Sequence, residues 1–548
     1  MRGLMQDFPL TIQHMLWRLE RVWQRVEVVT QRENDEIHRY TYAEFVPRVN
    51  RLANALKRLG VGESDRVATL AWNNYRHLEL YYAIPCMGAV LHTLNLRLFP
   101  EQLEFVIKDA EDKVIFVDKT LIPILDKLRG KLDGVKHIVV VNDGGPLPEH
   151  GLGELLDYET LLAAESDSFA WPALDEWSAA AMCYTSGTTG NPKGVVYSQR
   201  SQFLHAMSAS MTSGLGVSES DTVLPVVPMF HANSWGLPYG LGMAGARLIL
   251  PDRWMGDAAV LSRLTIDENV TVLAGVPTIW IGLLNYMEQT GTRFPNVHTV
   301  ICGGSAIPRA LMEGMDKVGL RMLHAWGMTE TSPIGTVARP RSWHPKDYEG
   351  ELRVRLSQGP PHPAVEIRIV DLATGEELPW DGVAFGEIQC RGPWIASGYH
   401  NSADPDKITA DGWFRTGDVA TIDQDGYVQI VDRTKDVIKS GGEWVSSVEL
   451  ENAIMAHPKV LEAAVIGLEH PKWSERPVAY VVLRPDAGEV SEDDIKEFLG
   501  ERVAKWWLPD EVRFIDEVPK TSVGKFDKKV LRANAEPLRE EAAPQARS

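Results

Sequence analysis

The sequence predicts an α/β protein: a large N-terminal domain of parallel sheets with crossover helices, carrying a small β-rich subdomain, followed by an α+β C-terminal domain. Three observations predict it. Through much of the chain, helical patterns alternate with short apolar runs, the sequence form of parallel strands joined by helices. Between 365 and 391 the pattern changes to short strands separated by turns at Thr374-Gly375 and Asp381-Gly382. Past Asp432-Arg433-Thr434-Lys435-Asp436 it becomes helix, strand, strand, helix. A chain of 548 residues, 44% hydrophobic, is too long for one core and divides into several units. We place the N-terminal domain at 1–432 with its β-rich part at about 345–431, a hinge at 433–436, the C-terminal domain at 437–535 and a disordered tail at 536–548, rich in Glu, Pro, Ala and Gln.

The elements follow in order. Ile12, Met15, Leu16, Leu19 and Trp23 fall at helical spacing, with Thr11 as N-cap. A second helix is predicted over 42–59. Short apolar strands are predicted at 67–70, 114–117, 137–141, 247–250, 272–275 and 299–302. The run 180–184 reads as a buried strand and 194–198 as a second apolar run. Beyond the hinge, Ser446 with Glu449 caps a helix, strands occupy 463–466 and 478–482, and Ser491 with Asp494 opens another helix.

A net charge of −19 argues against a nucleic-acid partner. No uncharged apolar stretch approaches the length that spans a bilayer, and the residues after Met1 do not form a secretory leader, so neither signal peptide nor integral membrane association is expected. Cys86, Cys183, Cys302 and Cys390 lie far apart among apolar neighbours, which suits reduced core thiols better than disulfides or a zinc site. The expected compartment is cytoplasmic.

The stretch Tyr184-Thr185-Ser186-Gly187-Thr188-Thr189-Gly190-Asn191-Pro192-Lys193-Gly194 concentrates hydroxyls, glycines and one lysine between two apolar runs. Glycines let backbone N–H groups approach anionic oxygens, hydroxyls reach a metal or phosphate, and Lys193 adds positive charge. A Walker A loop needs Gly-Lys-Ser/Thr opening a helix, whereas Lys193 lies between Pro192 and Gly194, so an ordinary P-loop NTPase is disfavoured.

This loop resembles, residue for residue, the phosphate-binding signature of the acyl-adenylate-forming enzymes: acyl-CoA synthetases, peptide-synthetase adenylation domains and firefly-type luciferases. Further matches recur in that family's order at Pro228-Met229-Phe230-His231, Gly303-Gly304-Ser305-Ala306, Trp326-Gly327-Met328-Thr329-Glu330, Phe414-Arg415-Thr416-Gly417-Asp418, Asp432 to Asp436 and Pro519 to Lys525. The resemblance implies ATP and CoA as co-substrates, Mg²⁺ as cofactor, a carboxylic acid as partner substrate, a mobile C-terminal lid and a possible homodimer. It implies Thr185 and Glu330 as metal ligands, and Lys525, Glu330, Thr185 and His231 as the catalytic group. The nucleotide would be held by Thr185, Ser186, Gly187, Thr188, Thr189, Gly190, Lys193, Gly304, His324, Ala325, Trp326, Gly327, Thr329, Asp418, Arg433 and Lys435. Trp326 stands where the family usually carries an adenine-stacking tyrosine, and His324 and Ala325 also depart from the commonest pattern. His231, Ala232, Trp235, Gly303 and Gly304 resemble the acyl-pocket walls. Lys435, Lys439, Gly441, Gly442 and Trp444 resemble the pivot and CoA path.

Adenylation forces two anions together, so such a site must supply neutralisation and alignment rather than a covalent nucleophile. Trp235 and the run from Lys439 to Trp444 resemble the medium- and long-chain fatty acyl-CoA synthetases. The run from His324 to Glu330 resembles the 3-methylthiopropionate-CoA ligases. An aryl acid ligase, a luciferase-type oxygenase and a non-catalytic acyl-nucleotide sensor remain open alternatives.

Overall fold

The computed structural model describes residues 1, 3–185, 191–402, 404–440, 443–485, 487–520 and 526–538. Its chain groups into two compact units, each described by itself below. The first comprises Met1–Ile367, Cys390–Phe414 and Gly426–Val428; the second comprises Arg368–Gln389, Arg415–Asp425 and the chain from Gln429 onward.

Two large sheets build the first unit. In one, the strands run in the spatial order Leu156–Asp157, His137–Val141, Asp112–Asp118, Arg66–Leu70, Val90–Thr93, Ala179–Tyr184, Gly194–Ser198. All neighbours are parallel except the last pair. In the other, the order is Ile334–Val337, Met322–Gly327, Thr299–Cys302, Val272–Gly275, Thr222–Pro225, Arg247–Leu250, Glu27–Gln31, Ile37–Thr41, parallel except at the two edges. Central strands such as Val272–Gly275 and Val90–Thr93 are buried along their whole length, as strands covered on both faces must be.

The predicted helices form for the reasons their spacing gave. Helix Tyr42–Arg58 buries Phe45, Val46, Val49, Leu52 and Leu56 on one face, and its entry is fixed by Glu44, whose carboxylate accepts the Thr41 N–H at 2.8 Å. Helix Ile12–Arg21 buries Ile12, Met15, Leu16 and Leu19, but Thr11 makes no side-chain capping bond. The Ile12 N–H is taken instead by the Gln199 side-chain carbonyl at 3.0 Å, a tertiary partner that makes the local cap redundant.

The second unit contains a five-stranded sheet ordered Glu443–Val445, Ile438–Ser440, Ser474–Leu483, Val460–His470, with Glu511–Phe514 added in parallel to Ser474–Leu483. Most residues of a four-stranded sheet, ordered Glu366–Val370, Phe385–Arg391, Phe414–Ile422, Val428–Arg433, also group here. Ser446 caps helix Ser447–Met455 through the Glu449 N–H at 3.0 Å, and Ser491 and Asp494 cap helix Glu492–Gly500 reciprocally. Of the tail expected at 536–548, residues 539–548 lie outside the described residues. Arg513 donates to the Glu536 and Pro537 carbonyls at 2.9 and 3.2 Å, which ties those residues to the unit. All four cysteines are buried and none forms a disulfide. Among the described residues, no helix is long and apolar enough to cross a membrane.

Candidate active site

Parallel sheets bind ligands beyond the carboxyl ends of their strands, most readily where neighbouring strands lead away in opposite directions. In the eight-stranded sheet that point is Thr222–Pro225, flanked by Arg247–Leu250 and Val272–Gly275. The chain leaves it as Pro228 to Trp235, one of the predicted site segments. Gly303 follows Thr299–Cys302, Thr329 and Glu330 follow Met322–Gly327, and Thr185 follows Ala179–Tyr184. The predicted residues of the first unit therefore sit at carboxyl ends of strands from both sheets.

The phosphate-loop motif is closed at its base. The Thr185 N–H donates to the Lys193 carbonyl at 2.9 Å, and the Lys193 N–H donates back to the Thr185 hydroxyl at 3.2 Å. Ser186, Gly187, Thr188, Thr189 and Gly190, predicted between these ends, lie outside the described residues, as do Gly441, Gly442 and Lys525. The Lys193 ammonium pairs with Asp404 and lies 5.0 Å from the centre of the Tyr399 ring. The Tyr399 hydroxyl in turn donates to Glu330 at 2.7 Å. Burial and the Glu330 charge push the Tyr399 pKa well up, so the phenol keeps its proton and remains a donor. Glu330 is buried, and its backbone carbonyl accepts the Ala396 N–H at 2.8 Å. Tyr197 steadies the preceding residue by donating to the Thr329 carbonyl at 2.8 Å.

Thr185 and Glu330 offer a hydroxyl and a carboxylate, hard oxygen donors of the kind Mg²⁺ accepts alongside water and phosphate. Tyr399 engages one Glu330 oxygen and leaves the other for a cation. Among the described residues there is no cluster of three His, Cys, Asp or Glu side chains that could hold a metal alone. The donor set therefore fits an ion held jointly with a phosphate ligand.

The predicted acyl wall is held by buried polar contacts that the sequence did not reveal. Asn73 donates to the Pro225 and Val227 carbonyls at 3.1 and 2.8 Å and accepts the Met229 N–H at 2.7 Å. From Ala232 the backbone turns left-handed for five residues: φ is 43° at Ala232, 51° at Asn233, 50° at Ser234, 57° at Trp235 and 71° at Gly236. That conformation costs about 1–2 kcal/mol per non-glycine residue, so the surroundings must impose it. Ser234 donates to the Val227 carbonyl at 2.8 Å, and the Cys183 thiol donates to the Asn233 side chain at 2.8 Å. The His205 ring fills the space where Gly236 would carry a Cβ. His205 is buried and accepts the Ile334 N–H at 3.3 Å; burial, reinforced by His362, pushes its pKa down to about 3, so the ring is neutral. The turn presents Trp235 to Gly303, where an added Cβ would lie 3.4 Å from the indole and 2.7 Å from the Ala325 carbonyl. Trp235, Gly303 and Ala325 thus meet at one wall. Gly304 has φ +84°, with Val276 the nearest neighbour to its Cβ position.

The remaining predicted residues are less uniformly placed. His231 is half-buried and stands just before the left-handed turn. Trp326 is buried with its indole packed on Gly335, and Gly327 is crowded by the Pro333 carbonyl. His324 faces inward: its ring donates to the Leu356 carbonyl at 3.3 Å, burial pushes its pKa down to about 4, and its own carbonyl accepts the Ala338 N–H. In the second unit, Asp418 is buried and paired with Arg433 at 2.6 Å. Lys435 follows on the exposed side of the Asp432 to Asp436 turn. Lys439 and Trp444 are register partners across one strand pair, the ammonium 5.5 Å from the ring centre.

Sequence reasoning missed Tyr399, Asp404, Asn73, Tyr197 and His205. A Ser-Gly-Tyr run at 397–399 was a usable signal for Tyr399. Asp404 carried none, because it meets Lys193 across 211 residues.

Comparison with known proteins places this architecture. Residues 17–400 match the AMP-binding enzyme family and 449–525 match the AMP-binding enzyme C-terminal domain. The chain belongs to the AMP-binding enzyme family. It is 46% identical over 534 residues to a long-chain-fatty-acid–CoA ligase of Thermus thermophilus, with 96% of each chain covered. It is 43% identical to a 3-methylmercaptopropionyl-CoA ligase of Ruegeria lacuscaerulensis, covering 97% of this chain and 98% of that one. Among solved structures, the anthranilate CoA ligase AuaEII in complex with anthranoyl-AMP superposes with a TM-score of 0.83 at 25% identity, over 97% of this chain and 99% of that one. ATP-bound MatB from Rhodopseudomonas palustris gives 0.81 at 28% identity, over 96% and 99%.

Proposed function

We propose that the chain is an AMP-forming ligase that joins a medium- or long-chain fatty acid to CoA through an acyl-AMP, releasing AMP and pyrophosphate. The observation that carries this reading is the line of contacts from Thr185 through Lys193 and Tyr399 to Glu330 at the strand ends, in a chain that matches acyl-CoA ligases along its length. A carboxylate oxygen attacks the α-phosphorus, and pyrophosphate leaves. The barrier is repulsion between anions, which fixed cations and oriented dipoles lower without reorganising. Lys193 and the loop that Thr185 opens bind the departing phosphates. Thr185 and Glu330 would hold Mg²⁺, which when bound would neutralise phosphate charge. Asp418 accepts the ribose hydroxyls with Arg433 as its partner. Lys525 is assigned the neutralisation of charge on the carboxylate and α-phosphate, and Lys435 the role of pivot, with Lys439 and Trp444 serving CoA. Trp235, Gly303 and His231 line the acyl channel. A cytoplasmic homodimer completes this reading.

One observation favours a shorter acid. The Trp235 indole lies close over Gly303 and closes that wall, which suits a compact substrate such as a short thioether acid.

Pyrophosphate release with acids of graded length, with and without CoA, tests both. CoA-dependent turnover peaking at medium or long chains is expected. A peak at 3-methylthiopropionate selects the second reading. CoA-independent turnover with light emission indicates an oxygenase, and no pyrophosphate with any acid indicates a sensor.

A further inference from the structure

Lys193, the cation of the phosphate-loop motif, is already neutralised. Its ammonium pairs with Asp404, and the two side chains keep 33% and 24% of their surface exposed. The carboxylate is presented by a segment that is itself fastened to the site. Ser332 donates to the Trp394 carbonyl at 2.7 Å, the Ala396 N–H reaches the Glu330 carbonyl at 2.8 Å, and the His400 N–H reaches the Gly194 carbonyl at 2.8 Å. A Cβ on Gly194 would lie 3.0 Å from the Tyr184 ring and 3.1 Å from His400, so this strap packs closely on the residue after Lys193. Tyr399, on the same strap, stacks under the ammonium and bonds Glu330.

We propose that Asp404 is a built-in counter-anion that occupies Lys193 until a polyphosphate displaces it, and so sets how strongly the site binds nucleotide. The inference rests on the reading that Lys193 receives phosphate. A partly exposed ion pair is worth at most about 1 kcal/mol. A multiply charged polyphosphate overcomes that, whereas a singly charged anion gains little by replacing one carboxylate with another. In a chain of net charge −19 the fixed carboxylate thus favours triphosphate over weaker anions. Tyr399 holds the ammonium in place during the exchange.

The sign of the effect makes the proposal testable. If Asp404 competes with phosphate, Asp404→Asn tightens binding of ATP and of inorganic tripolyphosphate by about threefold, within the range of one surface pair. If Asp404 instead orients Lys193 for phosphate, the same change weakens binding. Titration calorimetry of the full-length protein with each probe, without acid or CoA, measures this independently of which acid is used. Asp404→Ser serves as a second variant should the asparagine fold poorly. In the Lys193→Ala background the gain from Asp404→Asn should vanish. Unchanged or weaker binding in both Asp404 variants, or a gain that persists without Lys193, overturns the proposal. If the wild-type protein binds neither probe, the nucleotide reading falls and this inference with it.

Discussion

Gly236 carries no side chain because His205 occupies the place where one would begin. A methyl there must move a buried imidazole or unwind a left-handed turn, and overpacking of this kind costs about 1–3 kcal/mol. Gly236→Ala should therefore lower the thermal midpoint. Because the turn delivers Trp235 to Gly303, it should also shift the ranking of kcat/KM across acyl chain lengths while leaving the ATP KM near its wild-type value. Trp235→Ala should shift the same ranking without the stability loss peculiar to Gly236. A chain-length profile unchanged in both variants would remove the turn from the acyl channel. At this scale, the residues proposed for the site stand out where chemistry constrains the local string, as at Lys193, Glu330 and Trp235. Their partners do not. Asn73, His205 and Asp404 act through contacts made only after folding, and nothing in their neighbouring residues sets them apart.

Strands and helices were legible where one periodicity dominated. The runs at 114–117, 272–275 and 299–302 lie within or coincide with strands of the two large sheets. The strand Glu27–Gln31 and the edge strand Ile37–Thr41 beside it were not singled out, because Arg39, His38 and Gln31 interrupt their apolar pattern. The ends of strands also hold titrating groups that no pattern announces. Asp118 closes Asp112–Asp118, Asp252 follows Arg247–Leu250, and both face Asn74. Burial pushes Asp252 up to about 7, with Asp143 adding to the effect, and burial together with Asp252 pushes Asp118 well above the ordinary carboxylate range. The folded chain therefore binds these protons more tightly than the unfolded chain does. Their stabilising contribution is complete below about pH 4 and is lost as pH rises through 7. Glu159, which Arg48 and Arg76 hold down at about 2 against its burial, contributes in the opposite sense but titrates below this window. The thermal midpoint should fall between pH 5 and pH 8, and Asp252→Asn should flatten that slope. An equal slope in the variant assigns the loss to other groups.

On the scale of the whole molecule, the proposed chemistry is divided between two compact units, with Lys193 and Glu330 in one and Asp418, Arg433 and Lys525 in the other. Lys525→Ala should abolish pyrophosphate release while sparing thioester formation from preformed acyl-AMP, measured as separate half-reactions. Equal loss of both would place the lysine in a general structural role. Within its own unit the segment after Lys525 is firmly held. Lys528 is buried, pairs with Glu451 at 2.7 Å and donates to Ser447 at 2.6 Å, while the Ser447 N–H donates to Asp432 at 2.5 Å. Arg532 adds a bond to Asp436 at 2.7 Å. The residues flanking the proposed pivot and those following the proposed catalytic lysine are thus parts of one braced body. The expectation of a separate C-terminal domain rested on the change of pattern near Asp432, whereas no local pattern announces this bracing, since it joins residues about eighty to a hundred positions apart.

The reversed handedness at Ala232 to Gly236 limits how the substrate range of this enzyme can be re-engineered. A stretch cut from a relative and grafted into this position would keep the twist only where it fits Asn73, Cys183 and His205, the neighbours that impose it here. A stretch that does not fit them would relax and turn its side chains elsewhere. Asn73, Cys183 and His205 must be exchanged together with the graft, so the smallest exchangeable module for acyl choice is a set of scattered positions and not a contiguous loop.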